Sequence, residues 1–417
     1  MSSPSSISRR QALIAGAAGI VGAAAGPVAG QSADQAARAR VPADPTKVQG
    51  PGGTEVGARS PFEHPARRSM GGARSNATQT PLQDLNGIIT PADLHYERHH
   101  AGVPAIDPER YTLLIHGMVE QPKVFTLADL KRLPGRSLIR FLECSGNGGR
   151  AYRREAQDAD VSPQQIDGLT STSEWTGVPL ATLFREVGAS PKATWFLAEA
   201  MDAAVMTRSV PIEKAYDDAM IAYGQNGEAL RPEQGYPARL FLPGFEGSAN
   251  VKWIRRIELA DRPFMTREET SKYTDPLADG TVRMFSFVMD AKSIITEPAF
   301  PDRLTGPGWW EIRGLAWSGR GRITQVDVSA DGGGTWQRAT LDEPVLPKCH
   351  TRFRLPWRWT GGEATLMSRA TDETGYVQPT TAALLAARGP FTAYHFNNIR
   401  PWKVSADGTV RLAGGSL

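Results

Sequence analysis

The pattern of apolar residues changes near residue 281, and this change constrains the fold more than any other feature of the chain. Before it, from about residue 86, strand-like and helical runs alternate: "YTLLIHGMV" is followed by "TLADLKRL" and then by "RSLIRFLEC". After it, short alternating runs such as "ITQVDVSADGGGTWQRATL" are punctuated by Gly and Asp, and Val326 and Val328 share one face. The first pattern predicts a mixed α/β domain and the second an antiparallel β-sandwich, so we predict a chain of the α+β class.

The length and composition allow two or three domains with sizeable cores. The chain has 417 residues, of which 40% are hydrophobic, including 10 Trp and 14 Phe. The net charge of +3 includes Arg9 and Arg10, so a chain processed after residue 30 would carry about +1. This near-neutral balance offers no electrostatic basis for binding nucleic acid, and we expect no such partner.

The N-terminal residues carry an export pattern. Arg9 and Arg10 precede an uncharged stretch, residues 11–30, that is mostly Ala and Gly. A twin arginine before such a stretch predicts a twin-arginine (Tat) signal peptide over residues 1–30 and a periplasmic mature protein without a membrane span. The alternative is a transmembrane anchor, although Ala and Gly partition weakly into lipid and the stretch is barely long enough to span it. Because the twin-arginine route exports folded proteins, the pattern also favours a cofactor inserted before export.

Three further segments are predicted. Residues 31–85 are rich in Pro, Gly, Ser and Arg and have few large apolar side chains, so they form an extended arm, either a disordered tether or a strap ordered on a partner or a second subunit. The mixed domain covers residues 86–280, and the β-sandwich with a C-terminal tail covers residues 281–417. Loops that follow strands in a mixed sheet are the usual location of a ligand.

One of the two cysteines stands where an apolar run breaks into glycines, in "FLECSGNGGR". Cys144 is followed by small residues that allow another molecule to approach the backbone closely. Its thiol could form a disulfide with Cys349, be a buried structural group, act as a nucleophile with a His base, or bind a metal as a soft ligand. One cysteine cannot hold zinc, copper or an iron–sulfur cluster without further ligands, so a metal site here requires an organic cofactor that supplies them.

Other motifs are less informative. "HYERH" places His95 and His99 four residues apart, but its Glu stands third and not second, which makes it a weak zinc motif. "SGNGGR" lacks the Gly-Lys-Ser/Thr ending of a phosphate loop. The sequence contains no Cys-x-x-Cys-His, so we expect no covalently bound haem in this chain.

Several segments resemble, in the same order, the sulfite oxidase family of molybdenum enzymes. They include "YERHHAGVPAID", "FLECSGN", "WTGVPL", "GYPARLFLPGFEGSANVKWIRRIEL" and "GLAWSGRGRITQVDVSADGGGTWQ", and the resemblance covers roughly residues 86–400. It implies a molybdopterin-binding domain followed by an immunoglobulin-like dimerisation domain. Within the family, "AYGQNGEALRPEQGYPARLFLPGFEGSANVKW" and "PFMTREETSKYTD" are most similar to the molybdenum subunits of sulfane dehydrogenases, which act in thiosulfate oxidation. A sulfite:cytochrome c dehydrogenase is the alternative.

The resemblance implies roles for eight residues. Cys144 would give its thiolate to molybdenum, whose other sulfur ligands come from the pterin. Three residues would be catalytic: Arg98, Tyr273 and Arg354. Arg98 and Arg354 would bind the oxyanion of the substrate, and the second domain would lend Arg354 to the pocket. Four residues would bind the cofactor: His100, Asp202, Arg239 and Lys252. The two basic residues, Arg239 and Lys252, would bind the pterin phosphate.

The resemblance also implies partners, and the sequence departs from the family in two places. Gln234 stands where many members have a cofactor-contacting His, and two glycines precede Arg150 where adjacent arginines are usual. Both changes fit a substrate larger than sulfite. The implied partners are a c-type cytochrome subunit, a carrier protein that presents sulfur on a cysteine, and a second copy of this chain bound through the C-terminal domain. The alternative from another functional class is a non-catalytic exported binding protein with a Cys144–Cys349 disulfide.

Overall fold

The computed structural model describes residues 52–71, 76–152, 158–277 and 279–414. The predicted signal peptide, residues 1–30, and the first part of the predicted arm lie outside these residues. The chain divides into two units, Met1–Ala58 and Arg59–Leu417. The described residues of the first unit, 52–58, contain no helix or strand, and the second unit contains all the elements that the structure describes.

Up to residue 260, the described strands build three sheets. In chain order the strands are β1 (Arg68–Ser69), β2 (Ala77–Gln79), β3 (Glu97–Arg98), β4 (Thr112–Gly117), β5 (Lys123–Thr126), β6 (Arg136–Glu143), β7 (Thr170–Pro179), β8 (Trp195–Ala200), β9 (Thr207–Pro211), β10 (Met220–Gln225), β11 (Glu228–Ala229), β12 (Arg239–Phe241) and β13 (Ile254–Ala260). The first sheet has the order β1-β2-β3, and the second has the order β11-β10-β7-β6 with β12 also paired to β10. The third has the order β5-β4-β13-β8-β9 and is mixed, because β4 and β13 run parallel.

The described helices are short. They are α1 (Leu127–Arg132), α2 (Gly149–Tyr152), α3 (Pro163–Asp167), α4 (Leu180–Glu186), α5 (Glu213–Asp217), α6 (Arg267–Thr270) and α7 (Thr381–Arg388), with 3-10 turns at Leu82–Asp84, Ala92–Leu94, Pro232–Gln234 and Gly247–Ala249. Thr126 caps α1 as predicted: its Oγ1 accepts from the Asp129 backbone N at 3.1 Å, and Asp129 Oδ2 accepts from the Thr126 backbone N at 3.0 Å. No helix among the described residues is long and apolar enough to cross a membrane.

The second half of the chain forms a β-sandwich. A small hairpin, β14 (Asp275–Pro276) with β15 (Val282–Arg283), precedes it. Its strands are β16 (Lys292–Glu297), β17 (Gly308–Trp317), β18 (Ile323–Ser329), β19 (Gln337–Arg338), β20 (Thr340–Leu341), β21 (Thr351–Trp359), β22 (Ala364–Asp372), β23 (Trp402–Val404) and β24 (Val410–Leu412). They form two antiparallel sheets, β16-β17-β21-β20 and β19-β18-β22-β23-β24. Val326 and Val328, predicted to share a face, both lie in the core between them.

The predicted fold class is confirmed: a mixed domain precedes a β-sandwich, and each has its own core. The predicted arm differs from the structure at its C-terminal end. Leu82 is buried against Phe141 of the mixed domain and against Ile294 and Trp317 of the sandwich. The described residues just before 86 therefore belong to the folded body, because a leucine there fills the space where the two domains meet.

Candidate active site

Cys144 lies directly after β6, an edge strand of the second sheet. Its backbone N donates to Leu169 O at 2.9 Å, and its O accepts from Asn147 N at 2.9 Å, so the chain turns sharply after the thiol. Both cysteines are free, and the alternative of a Cys144–Cys349 disulfide is therefore wrong. Cys349 is buried, and burial raises the pKa of its thiol to about 12, which keeps it in the unreactive protonated form.

Cys144 lines a cavity whose empty volume is about 620 Å³, part of it open to solvent. The other walls come from the segment around β3, the turn after β8, the segment from the Pro232–Gln234 turn to Trp253, and Tyr273. Seven of the eight predicted site residues line this cavity: Arg98, His100, Cys144, Asp202, Arg239, Lys252 and Tyr273. The fold thus brings together side chains from widely separated parts of the sequence.

The wall beside Cys144 requires a glycine. A Cβ atom at Gly247 would lie 2.9 Å from Glu143 O, 3.0 Å from the Tyr96 hydroxyl and 3.2 Å from Cys144 Cα. These distances are shorter than ordinary carbon contacts, so any side chain at this position would push against the thiol loop and narrow the cavity.

Two basic side chains on one wall of the cavity, Arg239 and Lys252, have no carboxylate in ion-pair contact among the described residues. Arg239 is buried, and its Nη1 and Nη2 donate to Gln234 O at 3.0 Å and to Asn250 O at 2.9 Å. Lys252 Nζ donates to Glu233 O at 2.9 Å. Burial lowers the pKa of Arg239 to about 10, and burial together with the charge of Arg239 lowers the pKa of Lys252 to about 7. Two adjacent basic groups without a carboxylate in ion-pair contact form a site for an anion, because an anionic ligand would favour the charged form of both.

Three other residues form a polar group at the cavity. The phenol oxygen of Tyr273 is 3.0 Å from His100 Nε2. Arg98 is exposed, and its guanidinium donates a hydrogen bond to the backbone carbonyl of His99. Burial raises the pKa of Tyr273 and lowers the pKa of His100, so at neutral pH the phenol keeps its proton and the imidazole is uncharged. Tyr273 has a φ of 46°, a left-handed conformation that is costly for a residue with a side chain and occurs preferentially at functional sites.

The Cys144 thiol is influenced by opposing effects. Burial raises its pKa most strongly, while the backbone N–H of Gly146 and the charge of Arg98 lower it. A metal would reverse the balance, because coordination deprotonates a thiol outright.

A buried ion network lies behind Tyr273. Arg208 is 1% exposed, and its guanidinium is 4.9 Å from the centre of the Tyr273 ring. It donates to Glu246 Oε1 and to Glu269 Oε1, each at 2.9 Å. Burial opposes the ionisation of Glu246, but Arg208 and His395 hold the pKa of its carboxyl at about 2. The network therefore contains fixed charges that restrain the Tyr273 ring.

The second half of the chain contributes to this region through the segment that follows α7, and not through Arg354. His395 N donates to Ser145 O at 2.7 Å, His395 Nε2 lies 3.0 Å from Glu246 Oε2, and the rings of Tyr394 and Tyr273 are 5.1 Å apart. Arg354 does not line the cavity.

The prediction that Arg354 is lent to the pocket disagrees with this placement. In β21, its Nε donates to Asp342 at 2.7 Å and its Nη1 donates to Glu311 at 2.8 Å, both within the sandwich. The guanidinium pairs with two neighbouring carboxylates of the sandwich and lies outside the cavity.

Sequence reasoning missed several residues that the structure places at or beside the cavity. Tyr96, His99 and Trp253 line it. His99 and Trp253 adjoin predicted residues and Tyr96 lies two positions before Arg98, so proximity in the sequence was the available signal. Gln234, noted only as a departure from the family, lines it and donates to Tyr96 O at 2.8 Å. Arg208 gave no signal, because its partners are 38 and 61 positions away.

Comparison with known protein families identifies both domains. Residues 100–268 match the oxidoreductase molybdopterin binding domain, and residues 283–401 match the Mo-co oxidoreductase dimerisation domain. The structure is similar to the crystal structure of the sulfane dehydrogenase SoxCD from Paracoccus pantotrophus, with a TM-score of 0.84 and 44% sequence identity over 89% of this chain and 99% of that one. This chain belongs to the sulfite oxidase family of molybdenum enzymes.

The curated relatives of this chain include plant nitrate reductases. The chain is 33% identical over 314 residues to NADH nitrate reductase 2 of Phaseolus vulgaris, which is 67% of this chain and 35% of the relative. It is 32% identical over 326 residues to NADH nitrate reductase 1 of Nicotiana tabacum, which is 68% of this chain and 34% of the relative. The chain therefore spans about a third of the length of these curated relatives.

The residues at the cavity fit the molybdenum cofactor of the family. Among the described residues, no group of three or more His, Cys, Asp or Glu side chains could hold a metal ion by itself. The cavity instead offers one thiol and, along the wall from the Pro232–Gln234 turn to Trp253, two cations without an acidic partner. A cofactor that brings its own sulfur ligands and carries a phosphate needs this combination of groups.

Proposed function

We propose that this protein is a periplasmic molybdenum oxidoreductase that oxidises sulfane sulfur held on a cysteine of a carrier protein and passes the electrons to a c-type cytochrome subunit. The observation that carries the proposal is the similarity to the sulfane dehydrogenase structure, at 44% identity over 99% of that chain. The departure at Gln234, which lines the cavity, supports it, because it fits a substrate larger than sulfite.

The cavity residues have separate roles in this proposal. Cys144 binds molybdenum through its thiolate, and Arg239 and Lys252 bind the phosphate of the pterin. His100 and Asp202 contact the cofactor. When bound, the cofactor supplies two-electron oxidation of sulfur with oxygen that comes from water.

Arg98 and Tyr273 bind the oxyanion that develops on sulfur. Arg98, which is exposed and lines the cavity, supplies a positive charge. With the His100 proton on Nε2, the imidazole donates to the Tyr273 oxygen and leaves the phenol proton free for the substrate. Because burial raises the pKa of Tyr273, it acts as a hydrogen-bond donor and not as a base.

The electron acceptor is a second protein. The sequence has cysteines only at positions 144 and 349, so it contains no motif for covalent haem attachment. A c-type cytochrome subunit is the proposed partner. The similarity to the sulfane dehydrogenase SoxCD supports an assembly of this kind.

The substrate is tested by comparing kcat/KM for sulfane on the carrier protein with kcat/KM for free sulfite, with the purified cytochrome as acceptor. We expect the carrier-bound sulfane to be preferred by about tenfold or more. A higher kcat/KM for sulfite would replace the assignment by a sulfite:cytochrome c dehydrogenase. Nitrate is tested as a third substrate under reducing conditions, since curated relatives of the chain include nitrate reductases, and we expect negligible turnover.

We also propose a homodimer formed through the dimerisation domain, residues 283–401. Analytical ultracentrifugation should show a mass of two chains, and a monomer at all protein concentrations would contradict the proposal.

The periplasmic location rests on Arg9 and Arg10 alone. Replacing both with lysine should retain the protein in the cytoplasm in a cell-fractionation assay, and unchanged export would rule out the twin-arginine route.

A further inference from the structure

The loop that carries Cys144 is attached to the second domain through a fully buried cluster of charges. Glu143, the residue before Cys144, is 0% exposed. Its Oε1 accepts from Lys292 Nζ at 2.5 Å and from Asn147 Nδ2 at 3.0 Å, and its Oε2 accepts from Trp317 Nε1 at 2.7 Å. Lys292 begins β16 and Trp317 ends β17, so both of these donors belong to the sandwich.

The far side of the loop is held by the same cluster. Asn147 donates to Asp167 O at 2.9 Å and accepts from Leu169 N at 3.0 Å. The Asp167 carboxylate accepts two hydrogen bonds from Arg400, at 2.9 and 3.0 Å, and its Oδ1 is 3.7 Å from Lys292 Nζ. Two carboxylates of the first domain thus meet two cations of the second, with no water-exposed member to loosen the arrangement.

The loop conformation depends on this contact. Gly148 has a φ of 88°, and a Cβ there would collide with Arg400 Nη2 and lie 2.9 Å from Asp167 Oδ1. Glu143 and Asn147 are tied to each other as well as to the second domain, so the positions on either side of the thiol are fixed. A ligand held within about 0.5 Å of its working geometry needs such support from residues that do not touch the metal.

We propose that Lys292 and Trp317 of the second domain position the Cys144 loop through Glu143, and that the dimerisation domain thereby sets the geometry of the thiolate offered to the cofactor. Lys292 and Trp317 are positioning residues and not catalytic ones, because neither lines the cavity. The proposal rests on the proposed function only in that Cys144 is taken as the molybdenum ligand.

The test uses two variants and a matched control in the purified holoenzyme. Lys292→Met removes the cation, and Trp317→Phe removes one hydrogen-bond donor while keeping an aromatic ring in the core. The control is Lys214→Met, because Lys214 is also buried and paired, with Asp218, and donates to Pro243 O at 2.8 Å away from the Cys144 loop. The readouts are molybdenum content per chain, the electron paramagnetic resonance spectrum of Mo(V) after chemical reduction, and the thermal midpoint.

We expect both loop variants to shift the Mo(V) g-values and to lower molybdenum retention by about tenfold, as is typical for residues that support a metal ligand. The control should lose thermal stability with an unchanged spectrum. Wild-type spectra and metal content in both loop variants would overturn the proposal, as would an equal shift in the control. If Lys292→Met does not fold, Trp317→Phe decides alone.

A readout without metal separates this proposal from the proposed function. In cofactor-free protein, the rate at which iodoacetamide alkylates Cys144 is measured by mass spectrometry. A loosened loop should be alkylated about tenfold faster in Trp317→Phe, with the rate unchanged in Lys214→Met. If purified wild-type protein contained no molybdenum, the proposed function would be wrong, but the alkylation rate would still test the positioning role. An unchanged alkylation rate of Cys144 in Trp317→Phe would contradict the positioning role.

Discussion

Two groups of basic side chains in this molecule differ in what compensates their charge. At the cavity, Arg239 and Lys252 donate to backbone carbonyls and have no carboxylate partner among the described residues. At the junction of the domains, Lys292 and Arg400 are each matched by a buried carboxylate, Glu143 or Asp167. Both groups lie in the interior of the same chain, so burial alone does not distinguish them.

The presence or absence of an internal counter-ion distinguishes a structural contact from a binding site. A buried cation with an internal counter-ion is already satisfied, and removing one partner is the costly event. A cation near the surface of a cavity without a counter-ion stores an unfavourable charge that an anionic ligand can relieve. Arg354, with two carboxylate partners on the sandwich, belongs with the satisfied group, although it is partly exposed.

The largest effect is expected on the cavity side, from Cys144→Ser. Serine is a harder ligand than thiolate, so turnover with the cytochrome should fall by about a thousandfold or more while the thermal midpoint changes little. Cys349→Ser is the matched control, because Cys349 is the other free thiol and does not line the cavity. Near wild-type turnover in Cys144→Ser would contradict the role of the thiolate.

The junction is tested by Arg400→Met, which leaves the Asp167 carboxylate buried without its main partner. We expect the free energy of unfolding, measured by denaturant titration, to fall by about 3–5 kcal/mol. Arg239→Met in cofactor-free protein is the comparison, and it should cost only about 1–2 kcal/mol, because two backbone carbonyls lose a donor but no buried carboxylate is left unpaired. Equal losses in the two variants would break the distinction between paired and unpaired cations.

The KM for the sulfur substrate should respond differently to substitutions of Arg98 and of Arg354. Arg98→Met should raise KM for the sulfur substrate by about tenfold, because a guanidinium at the cavity is lost. Arg354→Met should leave KM within about twofold of wild type, since that side chain binds Asp342 and Glu311. A large KM effect from Arg354→Met would show that the second domain lends this arginine after all.

The last expected effect is a pH dependence of stability in cofactor-free protein. The pKa of Lys252 is about 7 in the folded chain and 10.5 when unperturbed, so between these values the unfolded state binds more protons. Stability should therefore rise with pH across this window, and the penalty is complete below about pH 7. Lys252→Met should flatten the rise in the free energy of unfolding between about pH 7 and 10. An identical slope in wild type and variant would show that Lys252 is not electrostatically strained.

Local patterns predicted much of this molecule. The alternation of Val326 and Val328, the Thr126 cap and the apolar run that ends at Cys144 are properties of adjacent residues, and each was recovered from the sequence. The residues that gather at the cavity came from the resemblance to the family, because their assembly depends on contacts between distant segments. Composition was less reliable: it assigned Leu82 to an extended arm, although Leu82 is buried in the folded body.

The partners of the charged side chains could not be predicted, because they come from distant segments of the sequence. Arg354 and Arg208 are both arginines in strands, and nothing in their neighbours shows that the first is held by sandwich carboxylates while the second lies 4.9 Å from the Tyr273 ring. The same holds for Glu143, whose partner Lys292 is 149 positions away. Charge compensation in the interior is a property of the folded chain.

The most direct test of the account is the amount of molybdenum and pterin bound to the purified protein, compared between wild type and the double variant Arg239→Met/Lys252→Met. Elemental analysis should find about one molybdenum per chain in the wild type and at most about a tenth of that in a folded double variant, because the unpaired cations hold the cofactor phosphate. Folded wild-type protein without molybdenum, or a double variant that retains all of it, would contradict the account.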